Sequence, residues 1–256
     1  MSKKKHKDWF DETLAEWLAD RIAENHRKFN REAFVNKIRD GISDLELKAR
    51  VALFAKQLQA HLPRSYEAAI PIILKCLGDE NPNETGMFTE YYWVMPFATF
   101  VEHYGLDYLE ISLNAIGEIT KRNTGEFAIR PYLSRYPEQT LDQMLKWSED
   151  ENFHLRRLAS EGSRPRLPWA KKLDFAIEDP KSTLPILENL KDDQIRFVQK
   201  SVANHLNDML KDNRDVAMKV LKRWKRGATD QRKWIIKHAL RQELKAGIAE
   251  AQSLVE

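Results

Sequence analysis

The stretch from His154 to Trp169, HLRRLASEGSRPRLPW, gathers residue types able to do chemistry. Arg157 and Glu161 are four apart, so on a helix both side chains leave the same face. Gly162 suits the end of that helix. Beyond it, Arg164 and Arg166 alternate with Pro165 and Pro168, a stiff loop carrying two permanent positive charges, and Trp169 closes it with a large aromatic surface. An acid, several guanidiniums and an indole on a helix end and a rigid loop suit a cationic or phosphate-bearing ligand. Two arginines in a proline-stiffened loop seldom serve a core, which favours phosphate contact for Arg164 and Arg166. Trp169 fits two readings equally. It could face a cationic ring, where cation–π attraction is worth roughly 0.5–2 kcal/mol, or pack between helices.

Two further acids stand in comparable places. Glu126 precedes FAIRPYL, and Asp208 closes SVANHLND four residues after Asn204, on the same helical face. Each acid also has a local explanation. Glu161 can pair with Arg157, Glu126 can cap a helix, and Asp208 can pair with Lys211 or Lys200. Other chemistries lack their residues. There is no HExxH or CxxC and the seven histidines are scattered, so no metal site is expected. GxGxxG, GxxxxGK[ST] and GxSxG are all absent, so neither a phosphate loop nor a nucleophile elbow is expected.

The elements that would position these residues are helical. Only 9 glycines and 10 prolines punctuate 256 residues, and no run alternates apolar and polar long enough to make a strand. Leu14, Trp17, Leu18 and Ile22 keep helical spacing, and Ser43-x-x-Glu46 reads as a capping box opening a later helix. Tyr66–Leu77 is another apolar helix, and Gly78–Gly86 (GDENPNETG) is the clearest loop. Phe88–Tyr104 reads as a buried helix that keeps Tyr92 and Trp93 in the core. Leu106–Arg122 and Phe127–Tyr136 follow, and Thr140–Trp147 pairs with Phe153–Gly162. The second half repeats. LRRLASE, VQKSVAN and IIKHALR place Arg157, Lys200 and Lys237 at 43- and 37-residue intervals, each behind an acidic or polar turn. Periods near 40 with two helices apiece are the HEAT pattern. Stacked, the second helices would line one surface, where Arg157, Lys200, Lys237 and Arg130 (from FAIRPYL, a shorter copy) would form a basic stripe. Such a stripe suits a polyanion, because each phosphate contact releases counterions.

Charge and cysteine content agree with that picture. Residues 1–128 carry 17 Lys and Arg against 20 Asp and Glu, whereas residues 129–256 carry 25 against 19. The basic half is the one that repeats, which points to a polyanionic partner there. Cys76 is the only cysteine, so no internal disulfide forms and a reducing cytoplasm is expected. The start, MSKKKHKDWF, is basic without an apolar run, so it reads as a tail over residues 1–8 ahead of one repeat domain over 9–256, not a secretory signal.

RRLASEGSRPRLPW resembles the signature of the AlkC branch of bacterial DNA alkylation repair glycosylases, relatives of AlkD built from HEAT-like repeats. GEFAIRPYL (Gly125–Leu133), SVANHLND (Ser201–Asp208) and WIIKHALR (Trp234–Arg241) fit the same family in the same order, over roughly residues 85–245. The resemblance implies an α-solenoid that excises cationic alkylated bases of the 3-methyladenine type from duplex DNA, without metal or cofactor, as a monomer away from membranes. It carries catalytic roles onto Glu126 and Glu161, with Asp208 supporting. The residues expected on DNA are Arg130, Arg157, Arg164, Arg166, Trp169, Lys200, Lys237 and Arg241. An alkylated base is already positive and leaves readily, so what remains is to stabilise charge on the sugar and place a water, tasks that suit carboxylates. Some members add an immunoglobulin-like module, and this chain is expected to be a form without it. Two rival readings share the fold. One is a non-catalytic scaffold for unusual DNA structures. The other is an adaptor for an acidic protein, which leaves Glu126, Glu161 and Trp169 without a role.

Overall fold

The computed structural model describes residues 5–256, and every regular element among them is helical. None of these helices is long and apolar enough to cross a membrane. The chain divides into two compact units, one reaching to Ile129 and the other spanning Arg130–Glu256.

The first unit holds α1 (Glu12–Asn25), α2 (Arg31–Gly41), α3 (Leu47–His61), α4 (Tyr66–Lys75), α5 (Met95–Tyr104) and α6 (Leu109–Thr120). Local chemistry sets the starts: the side chains of Asp11, Asn30 and Ser65 accept hydrogen bonds from the backbone N–H groups of Leu14, Ala33 and Ala68, which satisfies donors the helix leaves over. Phe10, Phe34 and Phe54 meet edge to face in its core. Of the basic start, residues 1–4 lie outside the described residues. From His6 the chain is docked: His6–Trp9 forms a 3-10 turn, the His6 ring stacks on Phe88 at 4.0 Å, and Arg50 donates to the carbonyls of Lys7 and Phe10. Cys76 is buried, and burial pushes its thiol up to about 11 against the pull of the Arg21 charge.

Three details depart from the sequence reading. Ser43 does not cap α3. Leu45 N–H donates to Ile42 O (3.2 Å) and Arg50 Nε grips the Leu45 carbonyl (2.9 Å), so a turn fills the place of the expected first helical residues. The helix expected from Phe88 begins at Met95, because Pro96 lacks an N–H and fits the first turn, where none is needed. Tyr92 and Trp93 are half-buried, not core. With Trp9, Trp17, Asp11 and Glu90 they line an open hollow of about 470 Å³, and the Arg21 guanidinium lies over Trp17 and Trp93 at 5.3 and 5.2 Å.

The second unit comprises α7 (Arg130–Arg135), α8 (Pro137–Trp147), α9 (Phe153–Gly162), α10 (Asp174–Glu178), α11 (Leu184–Leu190), α12 (Arg196–Asp212), α13 (Arg214–Lys225), α14 (Asp230–Ala239), α15 (Arg241–Lys245) and α16 (Ala249–Val255). Again a proline corrects a boundary: α7 starts at Arg130 and not at Phe127, with Pro131 in its first turn. The hairpins α8–α9, α11–α12 and α13–α14 are the repeats seen in the sequence, and α12 packs against both α9 and α14. Val198, Val202, Leu206 and Met209 of α12 are wholly buried, each worth roughly 1.5–3 kcal/mol. The acidic turn before α12 staples the neighbouring repeats. Asp193 takes a two-pronged contact from Arg156 of α9, at 2.6 and 3.3 Å, and Asp192 accepts from Arg232 Nε of α14 at 2.9 Å. Asn207 Nδ2 donates to Ala239 O (2.7 Å), satisfying a carbonyl at the end of α14.

Candidate active site

The last turn of α9 and the loop after it build an ion network around Arg164. Helix spacing puts Arg157 on the face of Glu161, and the turn at Ser163 brings Arg164 back under the helix end. Ser163 Oγ donates to the Ala159 carbonyl (2.6 Å), which fixes that turn. Arg164 Nη1 donates to Glu161 Oε1 at 2.6 Å, and its Nε and Nη2 each reach Asp208 Oδ2 of α12 at 2.8 Å. Arg157 Nη2 lies 3.6 Å from Glu161 Oε1, and Lys211 Nζ donates to Asp208 Oδ1 at 3.1 Å. Its central three residues are sequestered: Glu161 is 6 %, Arg164 7 % and Asp208 2 % exposed. Burial alone would push the Glu161 carboxyl up. The charges of Arg157 and Arg164 outweigh it and hold the group below the ordinary carboxylate range, so it is ionised at neutral pH.

Arg164 and Arg130 differ from expectation. The sequence places both against phosphate, but both guanidiniums turn inward. Arg164 lies between two carboxylates, and Arg130 donates to the carbonyls of Gly162 (3.0 Å), Arg164 (2.9 Å) and Lys171. Arg166 is half-buried and paired with Asp212, Nε to Oδ2 at 2.6 Å. Trp169 is 73 % exposed and adopts φ +63°, the left-handed region that few side chains tolerate. Such a backbone costs about 1–3 kcal/mol and persists only where its surroundings impose it.

Around this network, Arg157 of α9, Lys200 of α12 and Lys237 of α14 stand on successive second helices, the two lysines exposed. Arg241 Nη2 donates to Asn204 Oδ1 (3.0 Å) and its Nη1 to the His238 carbonyl (2.7 Å). The same helices carry an aromatic column that the sequence reading did not single out: Arg196 lies 4.0 Å over Trp234, which stacks on His238 at 4.7 Å. The signal for half of it was there, since Trp234 and His238 are four apart on a helix. In the first unit, Glu126 is buried where the chain turns toward α7. Its Oε2 accepts from Thr124 Oγ1 at 2.9 Å. The turn has no room for a side chain at Gly125, where a Cβ would meet Ile116 Cγ2 at 2.6 Å and Thr120 Oγ1 at 2.7 Å.

His205 lies on α12, fully enclosed, with Nδ1 3.0 Å from the Ser160 carbonyl and Nε2 3.2 Å from Thr183 Oγ1. A neutral imidazole satisfies both contacts, with Nδ1–H donating to the carbonyl and Nε2 accepting from the hydroxyl. Burial depresses its pKa to about 4 against the raising effect of the Ser160 bond. The unfolded chain therefore binds more protons than the native one between pH 6.5 and 4, and stability falls as pH drops through that window. About 2 kcal/mol should be lost between pH 6.5 and 5. Urea melts of the wild type and His205→Gln check this, because the variant should flatten that slope.

No group of three or more potential metal ligands is found among the described residues. A family model described as "DNA alkylation repair enzyme" matches residues 123–242, the span that carries Glu126, the Arg164 network and the repeated helices. The uncharacterized protein YhaZ of Bacillus subtilis (strain 168) is 39% identical over 249 residues, covering 97% of this chain and 67% of that protein. The solved structure of Pseudomonas fluorescens alkylpurine DNA glycosylase AlkC bound to DNA containing an abasic site analog matches with a TM-score of 0.89. Its identity is 32% over 99% of this chain and 68% of that one. The chain belongs to the family of DNA alkylation repair enzymes and, within it, is AlkC-like. Its role is in DNA alkylation repair.

Proposed function

We propose that the protein is a monofunctional DNA glycosylase that hydrolyses the N-glycosidic bond of positively charged alkylated bases, of the 3-methyladenine type, in duplex DNA. The observation that carries this reading is Glu161, a buried carboxylate kept ionised by two arginines. A methylated purine cation needs no proton to leave. When its bond to C1′ breaks, the electron pair neutralises the base and positive charge develops on the sugar. A fixed anion stabilises that charge more in a dry site than in water. Water then adds to C1′ and loses a proton, leaving an abasic sugar and a neutral free base. Glu161 and Glu126 are the acids assigned to this work, with Asp208 acting through Arg164.

Trp169, held outward on its loop, would meet the cationic ring. Arg157, Arg166, Lys200, Lys237 and Arg241 would meet phosphates. The similarity to AlkC, solved on DNA containing an abasic site analog, supports DNA as the partner. Arg164 and Arg130 are better assigned to holding the site than to holding DNA, because their guanidiniums turn inward. The test is release of free methylated bases from methylated duplex DNA, with binding to the same duplex followed separately. Release of 3-methyladenine at catalytic protein concentration is the expected result. Tight binding without release would replace this reading with that of a non-catalytic scaffold.

A further inference from the structure

The loop that presents Trp169 has an unusual fastener. Its start is the end of α9 and its finish is Leu173, whose N–H donates to the Pro165 carbonyl at 3.1 Å. Within it, Ala170 N–H donates to Leu167 O at 3.2 Å, and Leu167 is buried. Trp169 stands between these contacts in the left-handed region, with an indole too exposed for its burial to hold that backbone in place. Arg130 reaches the loop from the first turn of α7. One amino group bridges the carbonyls of Gly162 and Arg164 ahead of Trp169, and the other meets the Lys171 carbonyl behind it. A planar fork with fixed donors can hold both arms of a loop at once, whereas an ammonium is a single point on a flexible stem.

We propose that Arg130 is the positioning residue for Trp169, a clasp across the two arms of the loop that fixes the direction in which the indole is presented. The part concerning excision rests on the glycosylase reading above, while the part concerning the loop does not. If the clasp acts through Trp169, losing it matters only while the indole is present. The first experiment is therefore a double-mutant cycle on excision, with kcat and KM for the wild type, Arg130→Lys, Trp169→Ala and the pair. Arg130→Lys should lower kcat about tenfold or more in the wild-type background, since small misplacements of a reacting partner are costly. It should change kcat less than about twofold in the Trp169→Ala background. Additive losses would overturn the proposal.

The second experiment needs neither DNA nor activity. Tryptic cleavage after Lys171 and Lys172 is followed by mass spectrometry in Arg130→Lys and wild type, with circular dichroism confirming that both are folded. Cleavage at least about tenfold faster in the variant is expected, since an unclasped loop opens to a protease more often. Equal rates would overturn the clasp even if no base is ever released.

Discussion

Replacing Arg164 with alanine is expected to cost the protein about 3–5 kcal/mol, because it strands Glu161 and Asp208 in the interior without their shared counter-charge. For a unit of this size that is a fall in melting temperature of about 10 °C or more. Arg157 and Lys211 remain beside the two acids and keep the loss toward the lower end. The pH dependence distinguishes this cause from a packing defect. In the wild type Glu161 has a folded pKa below its unfolded value. Its contribution is present at neutral pH and is lost as pH falls through the folded value. In the variant, burial is less opposed and drives the carboxyl upward, so the folded protein now takes up the proton first and acid relieves the defect. Urea melts at pH 7.5 and 4.5 should therefore show a gap between variant and wild type that narrows in acid. A gap independent of pH would mean that the guanidinium matters only for its bulk. Adding Glu161→Gln and Asp208→Asn to the alanine variant should recover much of the loss, since no stranded charge is left to stabilise.

The second large effect concerns Glu161→Gln in the otherwise native protein. Glutamine keeps the shape and an oxygen that can accept from Arg164 but removes the negative charge. Single-turnover excision of a cationic methylated base should fall by about a hundredfold or more, the scale seen when one electrostatic or acid–base group is removed. Affinity for the same duplex should stay near the wild-type value, because the lysines and arginines assigned to phosphate are untouched. The wild-type rate should also be flat from pH 8 to about 5, since Glu161 is ionised throughout that range. Excision retained in full by the variant would remove Glu161 from the reaction. Loss of binding in step with loss of excision would recast it as a structural acid.

Much of the fold was legible in the residues because helices announce themselves locally. Phe153–Gly162 was read with its observed ends, and the 43- and 37-residue spacing of Arg157, Lys200 and Lys237 marks helices that do pack together. The boundaries that differ, at Met95 and Arg130, each lie one residue ahead of a proline whose missing N–H suits the first turn of a helix. The acids Glu161 and Asp208 could be singled out as residue types, and the structure brings them together through one guanidinium. What could not be read was the direction of Arg164 and Arg130. An arginine in a proline-rich loop faces solvent or core according to whether carboxylates and carbonyls from elsewhere wait for it, and Asp208 is 44 residues away from Arg164. The left-handed backbone at Trp169 was likewise invisible, since residue type argues against it.

Cys76 has a consequence of a different kind. Methylating agents attack soft anions, and a thiolate is the best nucleophile a protein offers them. With its pKa pushed to about 11 and its sulfur buried, this thiol is ionised in only about one molecule in ten thousand at pH 7. The strongest nucleophile available to such agents is thereby withheld from them in a protein whose work begins where they are present.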